Sequence, residues 1–183
     1  DIVYYMSHPL LSSFSTDGYT SAFVQLIQKK KPEIVLVGAT SIGRDIGPRI
    51  AARLGTGLTA DCTKLEIGDF PLKAVEGREQ KHNQLLMTRP AFGGNTIATI
   101  ACPNHRPQMA TVRPGVMQAI ERKPGARAVV EEYDPGFTPN HKYVEILDIV
   151  KSVAESADIM DARLLVSGGR GIGCPENFAM LEE

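Results

Sequence analysis

The run Ser167-Gly168-Gly169-Arg170-Gly171-Ile172-Gly173 is the part of this chain best suited to hold a charged ligand. It follows the apolar stretch Leu164-Leu165-Val166 and precedes Pro175, a residue suited to the first position of a helix, so it reads as a glycine-rich turn from strand to helix. Glycines there let backbone amides approach a phosphate at the positive end of the helix, and Arg170 would add a charge-assisted contact. Gly168, Gly169, Arg170 and Gly171 are therefore the candidate cofactor-binding residues. The spacing departs from the usual dinucleotide fingerprint, because counting from Gly169 and Gly171 the third glycine falls at Cys174; the Gly-Lys-Ser/Thr of a nucleotide-triphosphate loop is also missing. The plainer alternative is a tight turn in which Arg170 pairs with a local carboxylate.

A second turn, Gly38-Ala39-Thr40-Ser41-Ile42-Gly43-Arg44-Asp45, also joins a strand to a helix. The same physics permits an anion there, but Thr40, Ser41 and Asp45 serve equally as helix caps, and capping is the preferred reading. Cys102 stands near His105, a nucleophile and a base by type, yet activation needs side-chain contact and a third orienting group; a buried thiol beside a loop histidine is the simpler reading. Asp61 and Glu66 lack a paired carboxylate at a diagnostic spacing. His8, His82, His105 and His141 fall in separate segments next to Pro, Asn or Lys, which suggests surface loops rather than a metal cage, so no metal site is expected.

Composition narrows the classes. The 183 residues are 43% hydrophobic and 22% charged, which is enough apolar material for a packed core and allows one domain of ordinary size or one plus part of another. No apolar run approaches the roughly 20 residues that span a bilayer, and the first residues lack the basic region of a signal peptide, so a soluble protein is expected. Net charge is -1, unevenly spread: residues 1–60 carry six basic and four acidic side chains, 61–130 ten and six, and 131–183 four and eleven. None of these makes the basic stripe of a nucleic-acid reader, and stacking aromatics are scarce. Cys62, Cys102 and Cys174 are odd in number and far apart, so no disulfide framework is expected. Lys29-Lys30-Lys31 reads as a solvated helix end that complements the macrodipole.

The elements that must position these residues begin with a βα grammar. Ile2 to Met6 is fit for a strand. Thr16 or Asp17 can cap a helix with Tyr19, Phe23, Leu26 and Ile27 on one face, ended by Pro32. Ile34-Val35-Leu36-Val37 predicts a strand buried on both faces, and Ile46, Ile50 and Leu54 align on the helix that ends at Gly55. From Leu58 the pattern becomes strands and turns: Leu85–Thr88, Thr96–Ile100 and Met109–Val112 are candidates, with Gly93-Gly94-Asn95 as a tight connection. Asp134 to Pro139 marks a loop. Residues 143–152 fit either a strand or a helix face. Near residue 163 a new βα unit opens, with Phe178, Met180 and Leu181 starting an apolar helix face, which suggests the first part of a second domain. The fold class is thus α/β: an incomplete doubly wound, mostly parallel sheet with extra antiparallel strands, followed by the first βα unit of a second α/β domain.

Four ordered runs, Val37–Asp45, Ala51–Thr63, Arg89–Asn95 and Val166–Gly173, resemble the α subunit of electron transfer flavoprotein. The similarity extends over nearly all of the chain but only over the middle of the family's, whose opening strands and most of whose flavin domain lie outside this sequence. The resemblance implies residues 1–160 as an N-terminal α/β domain and 161–183 as the beginning of an FAD-binding domain. It implies a heterodimer with a β subunit that carries electrons on FAD between dehydrogenases and an acceptor, without substrate turnover of its own. Arg170 would be the flavin-contacting arginine, and 143–152 would be a strand. This piece alone is expected to be flavin-free. A cytoplasmic location is implied, or the mitochondrial matrix for a eukaryotic source. The rival is an adenine-nucleotide or NAD(P)-dependent enzyme using the glycine-rich turns; a third reading is an interaction module alone.

Overall fold

The computed structural model describes residues 1–72, 76–77, 79–91, 93, 95–138, 144–150 and 162–181. Contacts divide the chain into two compact units, Asp1–Ile146 and Leu147–Glu183.

The first unit is a mixed α/β structure. After β1 (Ile2–Tyr5) and a short 3-10 turn, α1 (Thr16–Lys30) leads to β2 (Ile34–Gly38), α2 (Ser41–Leu54) and β3 (Leu58–Cys62). Next come β4 (Lys64–Phe70), β5 (Lys81–Ala91), β6 (Thr96–Ile100), β7 (Gln108–Val112) and β8 (Val129–Glu132). Among the described residues these strands form a parallel sheet in the order β2-β7-β3, a parallel pair β1-β8 and an antiparallel sheet β4-β5-β6.

The middle strand β7 has Met109 and Ala110 fully buried, and its two faces belong to two apolar clusters. On one face Met109 packs with Val24 and Ile27 of α1 and Ile46, Ile50 and Ala51 of α2. On the other, Ala110 and Cys62 meet Leu85 and Met87 of β5. Gln108, also buried, accepts the Leu85 amide at 3.0 Å, so the polar side chain between the layers has a partner.

α2 starts where its sequence allows. Thr40 is extended and its hydroxyl accepts the Gly43 amide at 3.2 Å, while Gly55, in the left-handed region, closes the other end. Gly43 has a second duty: a Cβ there would collide with the Gly38 carbonyl oxygen. Only glycine lets the first turn of α2 lie this close to the end of β2.

The expected mixed α/β class holds, with differences in detail. α1 is preceded by Ser15 at the N-cap, with Thr16 its first residue. Its buried positions are Gly18, Thr20, Ser21, Ala22, Val24 and Ile27, because small residues let it approach α2, while Tyr19 and Phe23 are only partly covered. β2 is not covered on both faces: Leu36 is 53% exposed. β5 is longer than its apolar core suggested and runs through Pro90. It pairs with β4 only as far as Thr88, so the missing proline N–H lies beyond that ladder. Lys30 is not simply solvated, since it pairs with Glu131 at 3.4 Å and lies over the Tyr4 ring. His82 lies in a strand, not a loop, with Nδ1 3.0 Å from Asp69. His141 and Gly94 of the Gly93-Gly94-Asn95 connection fall outside the described residues, but Gly93 has the positive φ a tight turn requires and β5 and β6 are antiparallel.

In the second unit, residues 164–166 are not a strand; Leu164 is 84% exposed. A strand exists only by pairing, and no described strand borders them. Residues 144–150 likewise have no regular structure, against the strand implied by the resemblance; 143 and 151–152 lie outside the description. Pro175 does open a helical segment, but it is a 3-10 helix, Pro175–Leu181, rather than an α-helix. Among the described residues no helix is long and apolar enough to cross a membrane.

The Gly38–Gly43 contact gives a direct test. Gly43→Ala should destabilise the protein by about 3 kcal/mol, because backbone must move to admit the methyl group. Gly55→Ala, which meets open space but keeps a left-handed backbone, should cost about 1 kcal/mol. Equal losses in urea unfolding would contradict the close-packing account.

Candidate functional site

Two places answer to the residues singled out by chemistry. In the first unit they gather at the carboxyl edge of the parallel sheet, where Gly38, Val112 and Cys62 end their strands in register. Edges of this kind are where open α/β sheets receive ligands. The chain leaves β2 into the Thr40-capped start of α2, and leaves β7 into Arg113, whose amide bonds the Cys62 carbonyl at 2.9 Å.

Asp61 occupies the centre of this edge. The register of β3 against β7 shifts between Thr59 and Cys62, and Asp61 in that irregularity has φ of 61°. Aspartate tolerates the left-handed region better than most residues. Its amide donates to Thr111 Oγ1 at 2.7 Å, which fixes the bulge. Its carboxylate accepts from Arg113 Nε at 3.1 Å and Nη2 at 2.6 Å, and from Arg44 Nη2 at 3.0 Å. Arg44 Nε in turn donates to the Ala39 carbonyl at 2.9 Å. One carboxylate thus ties β3, the β2–α2 turn and the end of β7 together. Arg113's bonded guanidinium, with Arg44 and Arg89 adding to it, holds the Asp61 carboxyl below the usual carboxylate range against the opposing effect of burial. Beside it, burial pushes the Cys62 thiol up, so this cysteine is a packed, protonated group.

The sequence reading missed this cluster. Arg44, Asp61 and Arg113 are separated by 17 and 52 positions and share no local motif. The bulge was the hidden ingredient, because a register irregularity leaves no mark in composition. The capping role preferred for the 38–45 turn is what the structure shows for Thr40. Asp45 instead accepts a hydrogen bond from Thr16 of α1.

Cys102 is partly buried with Sγ 4.0 Å from Thr56 Oγ1, and His105 is exposed. Among the described residues no hydrogen bond joins the two, and no group of three His, Cys, Asp or Glu side chains is placed to hold a metal.

The second place is the glycine-rich turn of the second unit. Gly169 precedes a 3-10 turn over Arg170–Ile172, and the amides of Ile172 and Gly173 bond inward to Gly169 and Arg170 carbonyls at 3.0 and 3.2 Å. Asn177 Nδ2 holds the Ile172 carbonyl at 2.8 Å. The glycines divide by duty. Gly168 is needed for packing, since a Cβ there would strike Ile172 and press on Phe178 and Leu181, whereas Cβ positions at Gly169 and Gly171 meet open space. Gly169, Arg170 and Gly171 are exposed, and among the described residues Arg170 forms no ion pair. The arrangement suits contact with one anionic portion of a larger ligand: a free guanidinium on a turn whose outer face carries no side chain from its glycines.

A model of the electron transfer flavoprotein domain matches residues 1–137. The chain belongs to the electron transfer flavoprotein family. Among curated proteins, the "Protein FixB" of Clostridium saccharobutylicum is 49% identical over 94% of this chain and 48% of its own length. The "Electron transfer flavoprotein subunit alpha" of Thermoanaerobacterium thermosaccharolyticum is 47% identical over 100% of this chain and 52% of its own. The "Acryloyl-CoA reductase electron transfer subunit beta" of Anaerotignum propionicum is 41% identical over 94% and 50%. The chain spans about half the length of these relatives.

Asp61 yields a pH-dependent expectation. Its folded-state pKa is depressed, so its stabilisation is present above the unfolded value, about 3.9, and fades as pH falls through the lower folded value. Asp61→Asn, which keeps a residue tolerant of positive φ, should lower stability by about 1 kcal/mol at pH 7. The gap between wild type and variant should hold from pH 7 to about 5 and close below about 4. Urea titrations across that range check both the size and the direction; a gap that widens in acid would reverse the assignment.

Proposed function

We propose that this chain is part of the α subunit of an electron transfer flavoprotein, an electron carrier that works as a heterodimer with a β subunit and exchanges electrons with dehydrogenases and an acceptor. The observation behind this reading is the match of the family domain over residues 1–137 together with relatives named as α subunits, FixB proteins or electron-transfer subunits of reductases. Residues 1–160 would act as scaffold and subunit-contacting body. No residue of this chain is assigned to substrate turnover. The bacterial relatives favour a cytoplasmic protein.

FAD is the cofactor of the longer protein in this reading. The exposed Arg170 guanidinium and the open outer face at Gly169 and Gly171 are compatible with one anionic edge of such a dinucleotide, with Gly168 keeping the turn packed from below. The flavin ring, once bound, supplies the redox chemistry. The protein's share at this turn is to hold and orient: Arg170 sets a positive charge at a fixed place, and the exposed backbone lets a ligand approach without meeting a Cβ.

The test uses the full-length protein co-purified with its β subunit. It should be yellow, with a flavin absorption band and FAD recovered after denaturation. Arg170→Ala in that protein should weaken FAD retention by about tenfold or more, with the thermal unfolding of the cofactor-free protein unchanged. A colourless complex that turns over a nicotinamide nucleotide would overturn the reading, and unchanged FAD affinity would remove Arg170 from the site.

A further inference from the structure

The donors at the carboxyl edge of the first unit are not all used. Arg113 spends Nε and Nη2 on Asp61, and Arg44 spends Nη2 on Asp61 and Nε on the Ala39 carbonyl. Arg89 spends only Nε, on the Pro90 carbonyl, at 3.3 Å. Among the described residues, Nη1 of Arg44, Nη1 of Arg113 and both Nη groups of Arg89 have no partner. The side chains of Arg44 and Arg113 are 56% and 42% exposed. Ser41 and Ile42, at the positive end of α2, are exposed beside them. Arg44 and Arg113 thus share the Asp61 carboxylate and Arg89 lies close enough to act on it, which leaves an excess of one positive charge when exposed Asp45 beside Arg44 is counted, at one edge of a chain whose net charge is -1.

We propose that this edge, at Arg44, Arg89 and Arg113, is a docking surface for an acidic segment of a protein partner. Two observations favour that occupant. The inner donors are already taken by Asp61, which sits where a small anion would need to sit and would repel it. Two clefts of the unit lie elsewhere, one bordered by Phe14 and Arg49 and the other by Leu54 and Arg106, and Arg44, Arg89 and Arg113 line neither. Outward guanidinium forks on a fixed backbone match carboxylates in pairs, and charge of this kind on open surface governs association rate and salt dependence. The surface belongs to the first unit and does not depend on flavin being bound.

The experiment titrates a hexaglutamate peptide into the isotope-labelled chain at low salt. Saturable NMR shifts are expected at the Ser41 and Ile42 amides and at the Nε signals of Arg44, Arg89 and Arg113, and added salt should abolish them. Arg44→Gln with Arg89→Gln should weaken binding about tenfold while the protein keeps one cooperative unfolding transition. If the pair fails to fold, Arg89→Gln alone serves, since its Nη groups hold no described part of the structure, and it should weaken binding about threefold. Unchanged affinity in a folded variant, or shifts centred on Lys29–Lys31 instead, would overturn the proposal. So would tighter binding of inorganic phosphate or of a single-stranded oligonucleotide at the same signals.

Discussion

A carboxylate gripped by two guanidiniums at the ends of parallel strands does for this molecule what a bound anion does in many α/β folds. Three chain segments end together at one edge, each bringing backbone groups or cations that face the next, and Asp61 meets them all. The bulge that places it is held by the Thr111 hydroxyl, itself on the buried central strand. The arrangement joins packing to electrostatics: α2 approaches β2 through Gly43, which brings Arg44 within reach, and β7 delivers Arg113 from the other side. A self-supplied anion thus fills the inner side of this edge and leaves outer guanidinium donors unused among the described residues.

The second unit works by a different logic. Its turn is held by two inward amide bonds, the Asn177 side chain and the absence of a Cβ at Gly168. What remains outward is Arg170 with the bare backbone of Gly169 and Gly171.

The sequence made some of this legible and not the rest, for physical reasons. Helices α1 and α2 and strands β1, β2, β6 and β7 were readable because local signals fix them: β-branched runs, a Thr40 cap, Gly55 at the end. β3 and β4 were hidden because Leu58–Phe70 mixes charged, polar and apolar residues, and their pairing is set by β7 and β5 rather than by their own pattern. Leu164–Val166 shows the opposite failure, an apolar run with strand propensity and no described neighbour to pair with. Of the candidate residues, Gly168 to Gly171 could be picked out because glycine spacing is local. Asp61 could not, because its role arises only when residues 17 and 52 positions away fold against it.

The coupling between Asp61 and Arg113 tests the joint most directly. A double-mutant cycle with Asp61→Asn and Arg113→Gln, read by urea unfolding at pH 7, removes each partner alone and then both. If Asp61 is the anion that the edge is built around, the double variant should be about as stable as the Asp61→Asn single, because the second substitution removes a bond already lost. Losses that simply add would mean the two side chains act independently, and the edge would owe its geometry to something else.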